Sequence, residues 1–180
     1  MVAGIPGFDD EQKRVLAATI RGVRVIDVYV PNGQPLGSDK FAYKLRWLAA
    51  LRDYVQAQLA QFPRLVVLGD FNVAPEDRDV HDPPAWEGSV HVSPPERAAL
   101  QSLVAAGLVD CFRWFYQPEK SYSWWDYRMF AYERNAGLRI DLILASQALV
   151  QNCGACHIDQ APRTLERPSD HAPVVARFDI

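Results

Sequence analysis

The chain has 180 residues, enough for one domain, residues 1–180, with a sizeable buried core. Apolar residues make up 49% and charged residues 23%, proportions that exclude a disordered or fibrous protein. Basic residues number 19 against 22 acidic ones, and a formal charge of −3 offers no electrostatic case for a nucleic-acid partner; a site that binds phosphate through a metal gathers carboxylates, however, so net charge is no veto.

The first thirty residues mix charges with short apolar stretches and lack the continuous apolar core of a signal peptide, and no later run approaches membrane-spanning length. The default expectation is a cytoplasmic protein with no membrane partner. Arg14 to Ile20 and Val23 to Val30 are β-branched-rich runs separated by Arg21-Gly22, which predicts a hairpin; the second run ends at the turn signal Pro31-Asn32-Gly33. Between Ser38 and Gln61, Phe41, Leu45, Leu48, Leu51, Val55 and Leu59 describe one face of a helix, with Ser38 and Asp39 as caps. Leu65-Val66-Val67-Leu68 is continuously apolar, as expected of a strand buried on both faces, and stops at Gly69-Asp70. The Pro-, Asp- and Gly-rich stretch that follows through Val92 reads as a long functional loop. Ser93 caps a helix opened by Pro94 and Pro95 that runs to Ala106 and stops at Gly107. Ile140 to Ala145 and Val174 to Phe178 are further strands. Hairpins mixed with intervening helices predict an α+β layered sandwich, sheets covered by helices on their outer faces.

Cys111, Cys153 and Cys156 are too few and odd in number for a disulfide framework, which fits a reducing compartment. Cys153 and Cys156 form a C-x-x-C followed by His157, but a second ligand pair for zinc is lacking, so a structural role is expected.

Four short segments place polar residues at strand ends or turns: Tyr29 to Asn32, Gly69 to Asn72, Arg139 to Asp141, and Ser169 to His171. A lone Asp after a strand is usually a turn or cap residue. Together the four supply what metal-assisted phosphodiester hydrolysis needs: carboxylates (Asp70, Asp141, Asp170), amides (Asn32, Asn72), a phenol (Tyr29) and an imidazole (His171).

With these segments quoted in full, Tyr29-Val30-Pro31-Asn32-Gly33, Gly69-Asp70-Phe71-Asn72, Tyr122-Ser123-Trp124-Trp125-Asp126-Tyr127-Arg128, Gly137-Leu138-Arg139-Ile140-Asp141-Leu142-Ile143-Leu144-Ala145-Ser146 and Ser169-Asp170-His171-Ala172-Pro173-Val174, the chain resembles the exodeoxyribonuclease III or apurinic/apyrimidinic endonuclease family of the endonuclease/exonuclease/phosphatase superfamily. The resemblance implies a four-layer α/β/β/α sandwich of DNase I-like type, here lacking its first strands and helix. It implies a DNA-repair nuclease, monomeric when complete, that cleaves duplex DNA at abasic sites and as a 3′-5′ exonuclease with Mg²⁺, or Mn²⁺. Asp70 would help activate water, Asn72 would hold the phosphate or nucleophile, Asp141 would orient His171 toward the phosphate, and Tyr29, supported by Asn32, would touch the phosphate or leaving oxygen. Asp70, Asn72, Asp170 and His171 are the metal-site candidates.

Trp124 and Trp125 read as core on composition and as a wall of an abasic-site pocket on the resemblance, with Leu138 completing that wall. Arg113, Arg128, Arg134 and Arg139 are candidate phosphate contacts, with ion-paired or solvated arginine as the alternative. The resemblance also implies an amino-terminal segment whose Glu is the principal magnesium ligand, and this sequence has no counterpart. Glu76, Glu87 and Glu96 stand at no strand end, so a fragment of weak or no activity is expected. Two alternatives are a non-catalytic nucleic-acid-binding remnant and a phosphatase or phosphodiesterase of the same superfamily.

Overall fold

Arg21 and Gly22 both take positive φ, 49° and 79°, and so close a two-residue hairpin whose twist matches its strands. A computed structural model describes all 180 residues. In it, Val15–Ile20 (β2) pairs antiparallel with Val23–Tyr29 (β3), Ile20 opposite Val23, and Val2–Ala3 (β1) lies on the outer side of β2.

The helix Asp39–Leu59 (α1) starts at Ser38, whose hydroxyl accepts the amide of Phe41 at 3.1 Å. Its buried face is Phe41, Lys44, Trp47, Leu48, Leu51, Tyr54 and Val55, whereas Leu45 and Leu59 are only half-buried. Leu65–Asp70 (β4) then runs parallel to β3 in the register Val28 to Gly69. Gly69 has a φ of 134°, and a Cβ there would lie 1.9 Å from the carbonyl oxygen of Val28, so only glycine permits this crossing.

The stretch to Val92 is not structureless. It contains a short helix, Pro83–Trp86 (α2), and a helical turn at Asp77–Asp79, and the Ala74 amide donates to the His91 carbonyl at 2.7 Å. Pro94–Val104 (α3) follows, with Ser93 and Glu96 forming a reciprocal cap. Leu108–Asp110 (β5) pairs with Asp141–Ser146 (β6), which lies antiparallel to β4. After the short helix Gln147–Val150 (α4), Cys153–Ile158 (β7) and Val174–Phe178 (β8) form a separate two-stranded sheet. The large sheet has the order β1-β2-β3-β4-β6-β5. β5 and β7 were not expected: the first is three residues long, and the second is the C-x-x-C stretch, whose Gly154 and small side chains give no strand pattern.

Strand alternation divides the core. Leu65, Val67, Leu142 and Leu144 face α1 and α3, while Val66, Leu68, Ile143 and Ala145 face β7 and β8. Each such buried aliphatic stabilises the fold by roughly 1.5–3 kcal/mol. The three cysteines are buried free thiols in this second half-core, the structural role expected of them. The layers are thus helices, large sheet and small sheet, and the outer side chains of the small sheet, His157, Val175 and Arg177, are exposed. Beside β8, Ile20, Val23, Val25, Val66, Ile143 and Phe178 line an apolar groove of about 280 Å³. No helix is long and apolar enough to cross a membrane.

Candidate active site

Tyr29, Asp70 and Asp141 stand in one row across β3, β4 and β6. Beyond Asp70 the chain turns through Asn72, in the left-handed region with a φ of 51°. The two Asp70 carboxylate oxygens accept the Asn72 backbone amide at 2.8 Å and its side-chain amide at 3.0 Å. The Asn72 side-chain amide also donates to the Val30 carbonyl at 3.0 Å, and its oxygen accepts from Asn32 at 3.4 Å. Across the strand pair, the Ser123 hydroxyl accepts the amides of Ile140 and Asp141 at 3.1 and 3.0 Å and so fixes where β6 begins.

Ser123 also anchors the third segment, its carbonyl accepting the Ala172 amide at 2.7 Å. This sets His171 beside Asp141, with Nδ1 2.9 Å from Oδ2 and Nε2 turned away from that carboxylate. The indole of Trp124 donates to Asp170 at 2.9 Å, and the Asp170 carbonyl accepts the Trp125 amide. Asp70, Asp141 and His171 lie together in one cleft of about 390 Å³, with Asn72, Asn32 and Asp170 bonded around it. Tyr29 is exposed beside Asp70, its ring under the Arg14 guanidinium at 4.8 Å.

Burial, and then the nearby Asp141 charge, push the Asp70 carboxyl up to about 6, so that it changes protonation near neutral pH. Burial alone would lower His171, but the hydrogen bond and charge of Asp141, with Asp70 and Asp170, outweigh it and raise the imidazole above its ordinary value. A ring held toward its protonated form suits a phosphate contact better than a metal contact.

Four sequence-predicted contacts are corrected. Arg139 is 1% exposed and pairs with Asp79 at 2.7 Å and Asp110 at 2.8 Å, and Arg113 turns inward onto the same Asp79 carboxylate. Both are spent on a buried acid and are not presented to DNA. Leu138 is fully buried against Ala74, Val80 and Ile140. Trp125 is fully buried too, edge-on to Tyr132 at 5.1 Å with its indole donating to Asn135, so its core reading holds. Trp124 is half-buried near the rings of Trp86 and His91, and Arg128 is exposed.

Sequence reasoning passed over Lys44 and His91 and weighed Glu96 only as a metal ligand; all three are buried, and Lys44 and His91 both bond the Asn72 carbonyl. Lys44 and Glu96 meet directly, and His91 Nδ1 bonds the Asn72 carbonyl at 2.7 Å. The signals were present: Lys44 falls between Phe41 and Leu48 on the apolar face of α1, and Ser93 to Glu96 is a capping-box spacing.

The donor set accepts a hard cation in an open site. No group of three or more His, Cys, Asp or Glu is arranged as a cage, but Mg²⁺-like ions use one or two carboxylates and complete their shell with water and substrate phosphate. Asp70, placed against Asp141 at a cost visible in its raised protonation midpoint, is an acid that a cation would relieve. Asp170 and the Asn72 amide oxygen are the neighbouring oxygen donors.

Residues 3–171 match the Endonuclease/Exonuclease/phosphatase family, whose nucleases are generally metal-dependent. Exodeoxyribonuclease III of Haemophilus influenzae is 35% identical over 182 residues, covering 94% of this chain and 68% of that protein. Among solved structures, a 3′ phosphatase from Neisseria bound to a product DNA hairpin superposes with a TM-score of 0.97 at 46% identity, over 99% of this chain and 70% of that one. An AP endonuclease from Archaeoglobus fulgidus does so with a TM-score of 0.90 at 41% identity, over 97% and 69%. The chain spans 52% to 68% of the length of three curated relatives that it matches. A chain matched over nearly its whole length by these nucleases, and folded as they are, belongs to the endonuclease/exonuclease/phosphatase family, in its branch of exodeoxyribonuclease III-type DNA-repair nucleases.

Proposed function

We propose that this protein hydrolyses phosphoester bonds at the 3′ ends of duplex DNA, releasing 3′ phosphate groups and terminal nucleotides, with Mg²⁺ as its ion and Mn²⁺ as a substitute. The observation that carries the reading is Asp70, held by Asn72, meeting the Asp141–His171 pair in one cleft. Asp70, ionised above about 6, takes the proton of the attacking water, and the Asn72 amide holds that water or a phosphate oxygen. His171, kept charged by Asp141, donates from Nε2 to a non-bridging phosphate oxygen. The P–O bond to the departing 3′ oxygen breaks as the new one forms, and Tyr29 is the phenol nearest that oxygen in our assignment. When bound by Asp70 and Asp170, with the Asn72 amide oxygen, a divalent cation supplies Lewis-acid polarisation of the phosphoryl group. Asn32, Trp124 and Arg128 are the residues we assign to DNA. Three buried free thiols support a reducing compartment, hence the cytoplasm.

Cleavage at internal abasic sites is the second reading, favoured by the likeness to the Archaeoglobus AP endonuclease. It ranks below the first because two of the three side chains expected to wall an abasic pocket, Trp125 and Leu138, are fully buried. Three duplexes with Mg²⁺ separate the readings: one ending in a 3′ phosphate, one with a recessed 3′ hydroxyl, one with an internal abasic analogue. Weak turnover is expected, for want of the glutamate ligand, and it is fastest on the 3′-phosphate duplex. Preferred incision at the abasic analogue reverses the order, and binding without turnover of any duplex leaves a non-catalytic DNA-binding protein.

A further inference from the structure

The side chain of Lys44 is fully buried on the inner face of α1, yet two of its hydrogen bonds reach the backbone of Asn32 and Asn72, whose side-chain amides are linked to one another and through Asn72 to Asp70. Its ammonium donates to the Asn32 carbonyl at 3.0 Å, to the Asn72 carbonyl at 2.8 Å and to Glu96. Glu96 in turn accepts the His91 amide at 3.1 Å and both the amide and hydroxyl of Ser93. His91 closes the circuit: Nδ1 donates to the Asn72 carbonyl at 2.7 Å, which leaves Nε2 as acceptor for the Asn32 side-chain amide at 3.4 Å. Asn72 and His91 both hold left-handed backbone, with φ of 51° and 78°, and residues in that region persist where their surroundings over-determine them.

A buried Lys–Glu pair is a poor source of stability, because apolar residues of similar volume do as well or better. Its yield here is geometric. We infer that Lys44, with Glu96 as counter-ion and His91 as brace, is a positioning residue that ties the backbones of Asn32 and Asn72 to a single ammonium and so fixes how their two side-chain amides meet the reacting phosphate. The inference rests on the reading of Asn72 as the amide that holds water or phosphate. Nothing in it requires Lys44 to touch DNA, from which it is fully shielded.

Removing both charges together, Lys44→Met with Glu96→Gln, avoids stranding either one in the core. The double variant is expected to melt within a few degrees of wild type, to lose about 10- to 100-fold in kcat, and to keep KM for the DNA end within about threefold. Side-chain amide ¹H–¹⁵N signals of Asn32 and Asn72 are expected to shift or broaden in it. In the wild-type protein, the Lys44 ammonium is expected to give a slowly exchanging signal with hydrogen-bond couplings to the Asn32 and Asn72 carbonyls, a readout that needs no variant to fold. A folded double variant with wild-type kcat and unmoved amide signals overturns the inference, as does a rapidly exchanging Lys44 ammonium in wild type. If wild type hydrolyses none of the duplexes, the proposed function fails, and the amide and ammonium signals still decide the positioning claim.

Discussion

Asp70→Asn is expected to lower kcat by about 10²- to 10⁴-fold, the range for loss of a general base, while leaving the fold in place. The amide matches the carboxylate in size and can still accept one of the two Asn72 N–H groups that Asp70 now receives. What it cannot do is take a proton from water. Removing the charge also relieves the repulsion from Asp141 across the strand pair, so no stability loss is expected at neutral pH. The sign follows from linkage. A carboxyl whose folded midpoint of about 6 lies above its ordinary value of 3.8 makes the folded state bind more protons between those limits, so ionising it on raising the pH disfavours folding. Catalysis runs the other way: Asp70 accepts a proton only when ionised, so the rate falls on the acid side as it is protonated, at a midpoint that a bound cation moves below about 6, and activity falls again at higher pH as His171 loses its own proton. Comparing kcat of wild type and variant from pH 5 to 9 checks both points. A variant that keeps wild-type kcat removes Asp70 from the chemistry.

Arg139→Met is expected to cost about 3 kcal/mol of stability, with no loss of DNA affinity beyond that due to unfolding. Arg139 is buried between Asp79 and Asp110, and burial, which alone would lower its pKa, is outweighed by these two acids. Asp79 is fully buried, and although burial would raise it, Arg139 and Arg113 hold its carboxyl below the usual range. Deleting the arginine leaves Asp79 with Arg113 as its sole remaining cation, which sets the loss at the low end for a broken buried pair. The Arg139 amide also donates to the Asp79 carbonyl at 2.9 Å, two residues before Asp141, so the network anchors the start of β6 as well. Urea unfolding gives the free energy, and DNA titration at several salt concentrations gives the number of phosphate contacts. A lower salt slope with unchanged stability would return Arg139 to the DNA surface.

These outcomes mark what local sequence carries. Arg21-Gly22, Ser38 and the break after Leu68 act through their own neighbours, so the hairpin, the cap of α1 and the strand end at Asp70 were legible. Asp70, Asp141 and His171 were found because each stands at a strand end or a loop-to-strand junction: the large sheet brings the two acids to one rim, and the segment leading into β8 of the small sheet brings His171 to the same cleft. Arg139 was misplaced because its partner Asp79 lies 60 residues away, and nothing local distinguishes an arginine aimed at phosphate from one neutralised at long range. Lys44 was passed over for the converse reason: a charge on an apolar helix face looks like a solvated neighbour until Glu96, 52 residues on, is seen to meet it. Leu138 and Trp125 show the same limit, since large apolar side chains pack into core and into pockets with identical local patterns.

The most direct test of the account is the fate of a 3′-phosphorylated duplex incubated with this chain in Mg²⁺, in EDTA, and with His171→Ala in Mg²⁺. Release of inorganic phosphate by the wild-type chain in Mg²⁺ alone, abolished by chelation and strongly reduced by the substitution, is the result expected of one phosphoester-hydrolysing mouth. Equal release in all three incubations, or none in any, would contradict it.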